Sequence, residues 1–493
     1  MNYLGISSGF HDAALSVVDD KGNILFAGHS ERYSKFKHDK TLSPDLIKDA
    51  LNYMPYYGDY EVHYYERPWL KALRQLRTGE TMSSIFAKDI IGKEAHNLLE
   101  YKKIHIHNHH LSHAAAGFQT SPFTDATVVI VDAIGEFDTI TIWDAYYDKN
   151  GIAKYKKLYT QKYPNSIGLF YSAMTHRVGL KPMDEEYILM GMSAYGKPQY
   201  INDMLSLLHD TKKLEFKENL HIGVDEDFLS GADDMNIASS AQYIVEWLIQ
   251  VVMDKAEELG SSRNLVYGGG VALNCLANRL IGDHFDNVWI IPNPGDAGSS
   301  LGAAALGYGK HINWTNAFLG YDISGNYPVT DTIHALLSDK IVGVASGRAE
   351  FGPRALGNRS LLADPRGTEI KDKVNEIKRR QKFRPFAPVI LEEHVHSYFD
   401  MPYNWDNSRY MQVISRCRFL DLFPAIVHHD GTSRVQTVPK DGSGIRKLLE
   451  EWYQQTNCPM LLNTSLNIRG EPMVNDREDA DRFEKLYNVK VMS

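Results

Sequence analysis

Four histidines, His107, His109, His110 and His113, fall within seven residues of the segment HNHHLSHAAAGF, which then turns to small apolar residues. His109 and His113 stand four apart. A helix opening here, as Ala114, Ala115 and Ala116 favour, puts their side chains on one face with Cβ atoms about 5–6 Å apart. That spacing suits two imidazoles on one divalent metal. The zinc-peptidase pattern H-E-x-x-H shares it but needs a glutamate base directly after the first histidine. Here that residue is His110, which excludes a peptidase. A histidine-rich helix start that caps and hydrogen-bonds fits the cluster equally well. Asp132, at the end of an apolar run, and Asp296, in PGDAGSS, are acids placed to complete a metal site. Turn capping accounts for Asp132 at least as well. Nitrogen and oxygen donors without sulfur point to iron(II), manganese or zinc. A non-haem iron oxygenase also uses two histidines and a carboxylate, but such enzymes are usually all-β, and this chain alternates strands and helices.

The elements that would carry these residues are legible. YLGISSG, AALSVVDD and the run after Lys21-Gly22-Asn23 read as three strands around turns. ATVVIVDAIGEFDTITIWDAYY repeats the plan: an apolar strand ending at Asp132, a glycine turn, then an alternating strand. Two such copies signal a duplicated nucleotide-binding fold of the actin and sugar-kinase kind, whose turns aim backbone N–H groups at phosphates. Residues 43–104 between them look mostly helical. NLVYGGGVALNCLANRLI predicts a strand, a glycine turn and a helix, which lets backbone approach a nucleotide. NVWIIPNPGDAGSSLGAAALGYG predicts a strand, a loop and a small-residue helix. YDISGNYPVTD after Gly320 reads as a linker. KIVGVASGRAEFGPRALGNRSLLADPRG then opens a second unit, in which residues 371–384 hold seven Lys/Arg against two acids.

Composition bounds the rest. The chain has 493 residues, 43% of them hydrophobic and 23% charged, ordinary for a globular protein of two to three domains. No apolar run reaches the roughly 18–20 residues that span a bilayer, and the N-terminus lacks a signal peptide's basic and apolar regions. Cys275, Cys417 and Cys458 form neither a disulfide framework nor a thiolate site. A cytoplasmic location is expected. The net charge of −9 argues against bulk electrostatic binding of nucleic acid.

The ordered motifs GISSGFHDAALSVV, HNHHLSHAAAGF, VDAIGE, SIGLFYSAMTHRVG, MGMSAYG, GGGVALN, PGDAGSSLGAA, GRAEFGPRALGNRSLLADPR, KRRQKFRPFAPV and LNTSLNIRGEPMV resemble the NodU/CmcH/TobZ family of O-carbamoyltransferases, from residue 4 to about 478. The resemblance implies an α/β chain: an N-terminal, actin-type (TsaD-like) duplicated nucleotide-binding domain over 1–320, a linker over 321–339, and an α/β YrdC-like domain over 340–493. It implies metal ligation, commonly of iron(II), by His109, His113, Asp132 and Asp296, with outer positions for His107 and His110. It also implies nucleotide binding by Gly135, Glu136, Gly168, Gly268, Gly269, Gly270 and Asn274. Arg354, Arg359, Lys378, Arg380, Arg384, Ser465 and Asn467 would bind carbamoyl phosphate and magnesium-ATP, guanidinium groups gripping phosphate oxygens bidentately. Pro385 to Pro388 anchor that basic stretch in the family pattern.

The implied reaction forms carbamoyl-adenylate in the second domain and transfers its carbamoyl group to an acceptor hydroxyl in the first. His11 and Asp12 stand near the acceptor side as general-base candidates, with Glu31 and Lys37 behind them. Ile188 departs from the family, replacing a common lysine, so one cation beside the adenylate is missing. A sugar or small-molecule hydroxyl is the first-ranked acceptor and a hydroxymethylated nucleobase the second. For the latter, Lys71 and Arg74 in YYERPWLKALRQLR would line a nucleic-acid path. A homodimer is a further expectation. The rival readings are a non-catalytic nucleotide- and metal-binding protein and transfer to a base nitrogen.

Overall fold

The computed structural model describes residues 1–493 except 55–58, 102, 385 and 443. Pro385 therefore lies outside the described residues. The chain is a mixed α/β fold built on three main sheets. In the first, the strands run in the order Ile24–His29, Ala14–Val18, Asn2–Ser7, Tyr60–Tyr64, Ile104–Ile106. The first three form an antiparallel meander; Tyr60–Tyr64 and Ile104–Ile106 add in parallel. The second sheet repeats this plan. Ala153–Lys162, Asp138–Tyr147 and Asp125–Gly135 form the meander, and Asn264–Gly268 and Asn287–Trp289 add in parallel. The duplication expected from two strand–turn–strand copies is thus seen in both order and sense. The expectation that 43–104 is mostly helical missed the strand Tyr60–Tyr64. Its YEVHY buries the successive residues Val62, His63 and Tyr64, so both faces of the strand are covered there.

Two helices lie between the sheets. Ser299–Tyr308 is nearly all small residues, and the reason is proximity. A Cβ on Gly302 would fall 1.8 Å from the Ser112 carbonyl oxygen of helix His109–Phe118. Only glycine permits that approach, which locks the histidine-bearing helix in place. The 26-residue helix Asp234–Leu259 starts at Asp233, whose side chain accepts from the Asn236 N–H, and buries Ile237, Ile244, Leu248, Ile249 and Val252. Each such side chain is worth about 1.5–3 kcal/mol of burial.

The third sheet has the order Gln436–Val438, Ala387–Leu391, Met460–Ser465, Arg359–Ala363, Ile341–Ala345, Val491–Met492, with its own core around Val344, Leu361, Val389 and Leu461. Residues 321–339 differ from the expected linker. The strand Phe318–Ile323 pairs antiparallel with Gly347–Glu350, and Val329–Asp339 is a helix burying Ile333 and Leu336. Gly and Pro in GNYP mark the turn between them rather than a flexible tether. Among the described residues, no helix is long and apolar enough to cross a membrane.

On the first sheet His63 stacks between the rings of His105 and His107. Burial and repulsion from those two histidines push its pKa down to about 3. Below the ordinary value near 6.5, the unfolded chain takes up a proton that the folded chain refuses, so stability falls as pH falls from about 6.5 toward 3. His63→Asn is expected to flatten the pH dependence of unfolding free energy over that range, read by urea titrations at successive pH values. An unchanged slope would show that the stack is not acid-sensitive.

Candidate metal centre and cation cluster

Helix His109–Phe118 begins at Asn108, whose side chain accepts from the Leu111 N–H. The first two turns then aim His109 and His113 at the end of strand Asp125–Gly135 and at the loop before Ser299. His109 Nε2 lies 3.2 Å from Asp132 Oδ2 and 3.2 Å from Asp296 Oδ1. His113 Nε2 lies 3.6 and 3.3 Å from the same atoms, and 3.1 Å from His109 Nε2. Ligands about 2.0–2.2 Å from one ion stand roughly 3–3.6 Å apart. These separations fit that spacing. All four residues are buried, with the ligand atoms within 4.8 Å of one another.

The surrounding residues orient the set. Glu66 Oε2 lies 3.4 Å from His109 Nδ1, and Lys71 Nζ donates to Glu66 Oε1 at 2.8 Å. This leaves His109 Nε2 facing inward, the carboxylate–histidine arrangement of metal sites. Asp132 serves two purposes. Its Oδ1 accepts from the N–H groups of Ala133 and Gly270 at 2.8 and 3.3 Å, while Oδ2 faces the imidazoles. Turn capping and ligation are compatible, one oxygen each. Burial opposes charge on His109, but Asp296, Asp132 and Glu66 outweigh it and raise its pKa well above the usual range. His110 instead pairs Nδ1 with Thr141 Oγ1 at 2.9 Å, and His107 Nε2 lies 2.9 Å from His63 Nδ1. Neither belongs to the four-residue group.

Several residues expected to bind nucleotide have other work here. Glu136 takes donors from Arg67 (N, Nε and Nη2), Asn108 Nδ2 and the His109 N–H. Its carboxylate anchors the helix that carries the histidines. A Cβ on Gly135 would sit 2.5 Å from Cδ2 of both His109 and His110, so its bareness makes room for the rings. Gly168 packs on Ala133, Gly268 and Gly269 on the strand Asp125–Gly135, and Gly270 on Asp132 Oδ1. Asn274 exchanges hydrogen bonds with Gln242 at 3.0 and 3.1 Å and caps Ala277. Gly135→Ala is expected to displace both rings and weaken metal binding by about 10–100-fold, as losses around a metal's ligands do. Titration of the apoprotein with iron(II) or zinc reads this; wild-type affinity would show that the rings move aside freely.

A cavity beside the four-residue group is lined by Phe10, His11, Glu66, Lys71, Arg74 and Met183 among others. Behind it runs a chain of charged contacts. His11 Nδ1 lies 2.9 Å from Asp12 Oδ2, His38 Nδ1 2.7 Å from Asp12 Oδ1, and His38 Nε2 2.7 Å from Asp184 Oδ1. Burial works against charge on His38, yet Asp12 and Asp184 push its pKa up to about 10. Asp12, held between two imidazoles, is pushed below the usual carboxylate range despite its burial. Glu31 accepts from the His38 N–H at 3.0 Å, and Lys37 Nζ lies 3.4 Å from Asp184. His38 and Asp184 carried no sequence signal beyond lying near quoted motifs. Lys71 and Arg74 do not form an outward basic path: Lys71 pairs with Glu66, and Arg74 lies 3.7 Å from Glu80, both cations buried.

The second cluster is cationic. Arg354, Lys378, Arg380, Arg384 and Arg434 lie close enough that burial, with the charges of their neighbours, lowers the pKa of Arg354, Lys378, Arg380 and Arg384. The group opposing this on Arg380 is Tyr187, and Arg384 also stacks 4.9 Å from the Tyr187 ring centroid. Arg434 was absent from the sequence expectations because TSRVQT matches no quoted motif. Arg359 corrects them. It is fully buried and donates to the carbonyls of Ser346, Gly347, Asn358, Tyr321 and Asn475, so it holds backbone rather than phosphate. Lys378 Nζ reaches Ser465 (O and Oγ) and Asn467 (O and Oδ1) at 2.5–3.2 Å, tying that polar loop to the basic segment. Ile188 is buried among Leu189, Ile167 and Phe170, so the missing lysine is replaced by core packing.

The cluster sits on a seam between the halves of the chain. Arg469 Nη2 lies 2.9 Å from Glu185, and Tyr195 Oη donates to the Phe383 carbonyl at 2.8 Å.

Comparison with known proteins places the chain in a family. Residues 60–305 match the carbamoyltransferase N-terminus family, and 333–493 match the carbamoyltransferase C-terminus family. The uncharacterized protein sll1178 of Synechocystis sp. is 32% identical over 97% of this chain and 93% of its own. Nodulation protein NolNO of Sinorhizobium fredii is 27% identical over 95% of this chain and 76% of its own. Nodulation protein U of Azorhizobium caulinodans is 35% identical over 53% of this chain and 50% of its own. Among solved structures, HypF of T. kodakarensis matches 62% of this chain and 47% of its own at 12% identity and a TM-score of 0.34, too distant to bear on function. With both family regions matched in order and together spanning most of its length, the chain belongs to the carbamoyltransferase family.

Proposed function

We propose that the protein is an ATP-dependent O-carbamoyltransferase that makes carbamoyl-adenylate at the cation cluster and transfers its carbamoyl group to a hydroxyl beside the His/Asp group. The observation that carries this is the cluster itself. Burial first, and then neighbouring cations, lower the pKa values of the half-buried Arg354 and Arg384 and of the buried Lys378, a crowding of positive charge that suits an anionic substrate. Carbamoyl phosphate and ATP are such anions. Water releases phosphate from carbamoyl phosphate to leave carbamate, whose oxygen attacks the ATP α-phosphorus and expels pyrophosphate. The guanidinium groups hold the oxygens on which charge grows.

We read residues 1–320 as a TsaD-like and 340–493 as a YrdC-like unit. Both units lie in one chain and touch at the seam, and we propose that the adenylate passes between them without release to bulk water. A divalent cation held by His109, His113, Asp132 and Asp296 would supply Lewis acidity to carbamoyl and phosphate oxygens. The acceptor hydroxyl oxygen bonds to the carbamoyl carbon, the bond to AMP breaks, and the hydroxyl proton passes to His11. Asp12, already bridging His11 and His38, orients that imidazole instead of acting as the base. A sugar or small-molecule hydroxyl is the acceptor we rank first, because a net charge of −9 disfavours a polyanionic substrate. Pyrophosphate release that depends on carbamoyl phosphate, with mass spectrometry for one added carbamoyl group across acceptor pools, tests the reading. Pyrophosphate release indifferent to carbamoyl phosphate would overturn it.

A further inference from the structure

Helix Pro68–Thr78 is inside out. Its inward face carries Lys71 and Arg74, buried and paired with acids, and only Pro68 and Ala72 among apolar residues. Its outward face carries Trp69, Leu73 and Leu76, exposed by 46, 41 and 67%. The following loop folds back onto the helix, Ser83 donating through N–H and Oγ to Gln75 Oε1 at 2.8 Å. That loop adds Met82, Ile85 and Phe86, exposed by 56, 44 and 56%. None of these six side chains packs against any hydrophobic core among the described residues.

An eleven-residue helix is marginal in water by its own propensity and depends on packing of an apolar face. Here that face points outward. Taking roughly 200 Å² for each whole side chain of this size, the exposed fractions amount to about 600 Å² of apolar surface. That is the upper end for the largest patch on a monomer, and about three-quarters of the ~800 Å² each partner contributes to a standard interface.

We propose that this face is the contact between two copies of the chain, packed about a two-fold axis with helix Pro68–Thr78 against its counterpart. An isologous contact needs one patch that is complementary to itself. The apolar centre meets that need, and the same helix and the segment after it carry exposed charges of both signs, Arg77, Lys88 and Lys93 with Asp89 and Glu94. Mixed charges can pair across a two-fold axis. An anionic lipid surface calls for polar flanks dominated by Lys and Arg, which exposed Asp89 and Glu94 dilute here. Docking here also braces the helix whose other face lines the cavity beside His109 and Asp132.

Sedimentation equilibrium of the full chain at micromolar concentrations tests the proposal, comparing wild type with Leu73→Glu/Leu76→Glu. Both positions are exposed, so folding is preserved, which circular dichroism confirms. The expected result is a wild-type dimer and a variant weakened by at least tenfold in dimerisation. A second variant, Leu76→Cys, is expected to cross-link to itself under mild oxidation, since the three native cysteines are buried. A monomeric wild type, or a double variant that dimerises with wild-type affinity, would overturn the proposal. So would a monomer that sediments with phosphatidylglycerol vesicles and loses that binding in the double variant, which would assign the face to lipid.

Discussion

Replacing His113 with alanine is expected to abolish divalent-metal binding at the His/Asp group and to lower carbamoyl transfer by at least about a thousandfold. His113 Nε2 stands within 3.6 Å of Asp132 Oδ2 and within 3.3 Å of Asp296 Oδ1. Its loss removes one of four donors and leaves two carboxylates and an imidazole facing a void. Lewis-acid stabilisation amounts to several kcal/mol, and each 1.4 kcal/mol is a factor of ten in rate. Formation of carbamoyl-adenylate should survive within about twofold by this reasoning, because the cation cluster belongs to a separate sheet and core. Elemental analysis, pyrophosphate release and carbamoyl transfer measured on one preparation separate these effects. His113→Gln, which keeps most of the side-chain volume, guards against a simple packing defect. Full metal content with normal transfer in both variants would remove His113 from the site.

Arg384→Ala is expected to show the converse: metal retained, pyrophosphate release lost. Arg384 lies in the cation cluster with its guanidinium over the Tyr187 ring, so the arginine bridges the second unit and helix Glu186–Met192 of the first. Hydrogen bonds to a charged group contribute about 1.5–3 kcal/mol. That predicts weaker binding of carbamoyl phosphate or ATP by about 10–150-fold, with a further loss where the contact strengthens in the transition state. Arg384→Lys keeps the charge but not the planar fork, and should recover only part of the activity. Wild-type pyrophosphate release from Arg384→Ala would leave this arginine a purely structural role at the seam.

Much of the scaffold is local in origin and so was readable along the chain. The alternation in TITIWDAYY, the small-residue run of SSLGAAALGY and the Asn108 cap before HHLSH each act within a few residues. The His109/His113 pairing follows from helical spacing alone. The duplicated plan was visible as two strand–turn–strand copies. The strand Tyr60–Tyr64 was missed although YEVHY alternates apolar and polar residues, because five residues set among helical patterns are a short signal and the pairing partner Asn2–Ser7 lies almost sixty residues away.

The sequence by itself determined which residue types stand at which spacings, and that included all four members of the buried His/Asp group. It did not determine what each polar group is free to do. Arg359 reads as a phosphate-binding arginine, yet the carbonyls of Tyr321, Ser346, Gly347, Asn358 and Asn475 take its donors. Glu136 and Gly135 read as a phosphate turn, yet one anchors the histidine helix and the other makes room for its rings. Trp69, Leu73 and Leu76 have the helical spacing of a core face, and the fold turns them outward because Lys71 and Arg74 find their acids inside. A buried donor or charge must be satisfied wherever its partner lies, whether near in sequence, as Glu66 is to Lys71, or far, as Asn475 is from Arg359, so only the tertiary structure could show which pairs form.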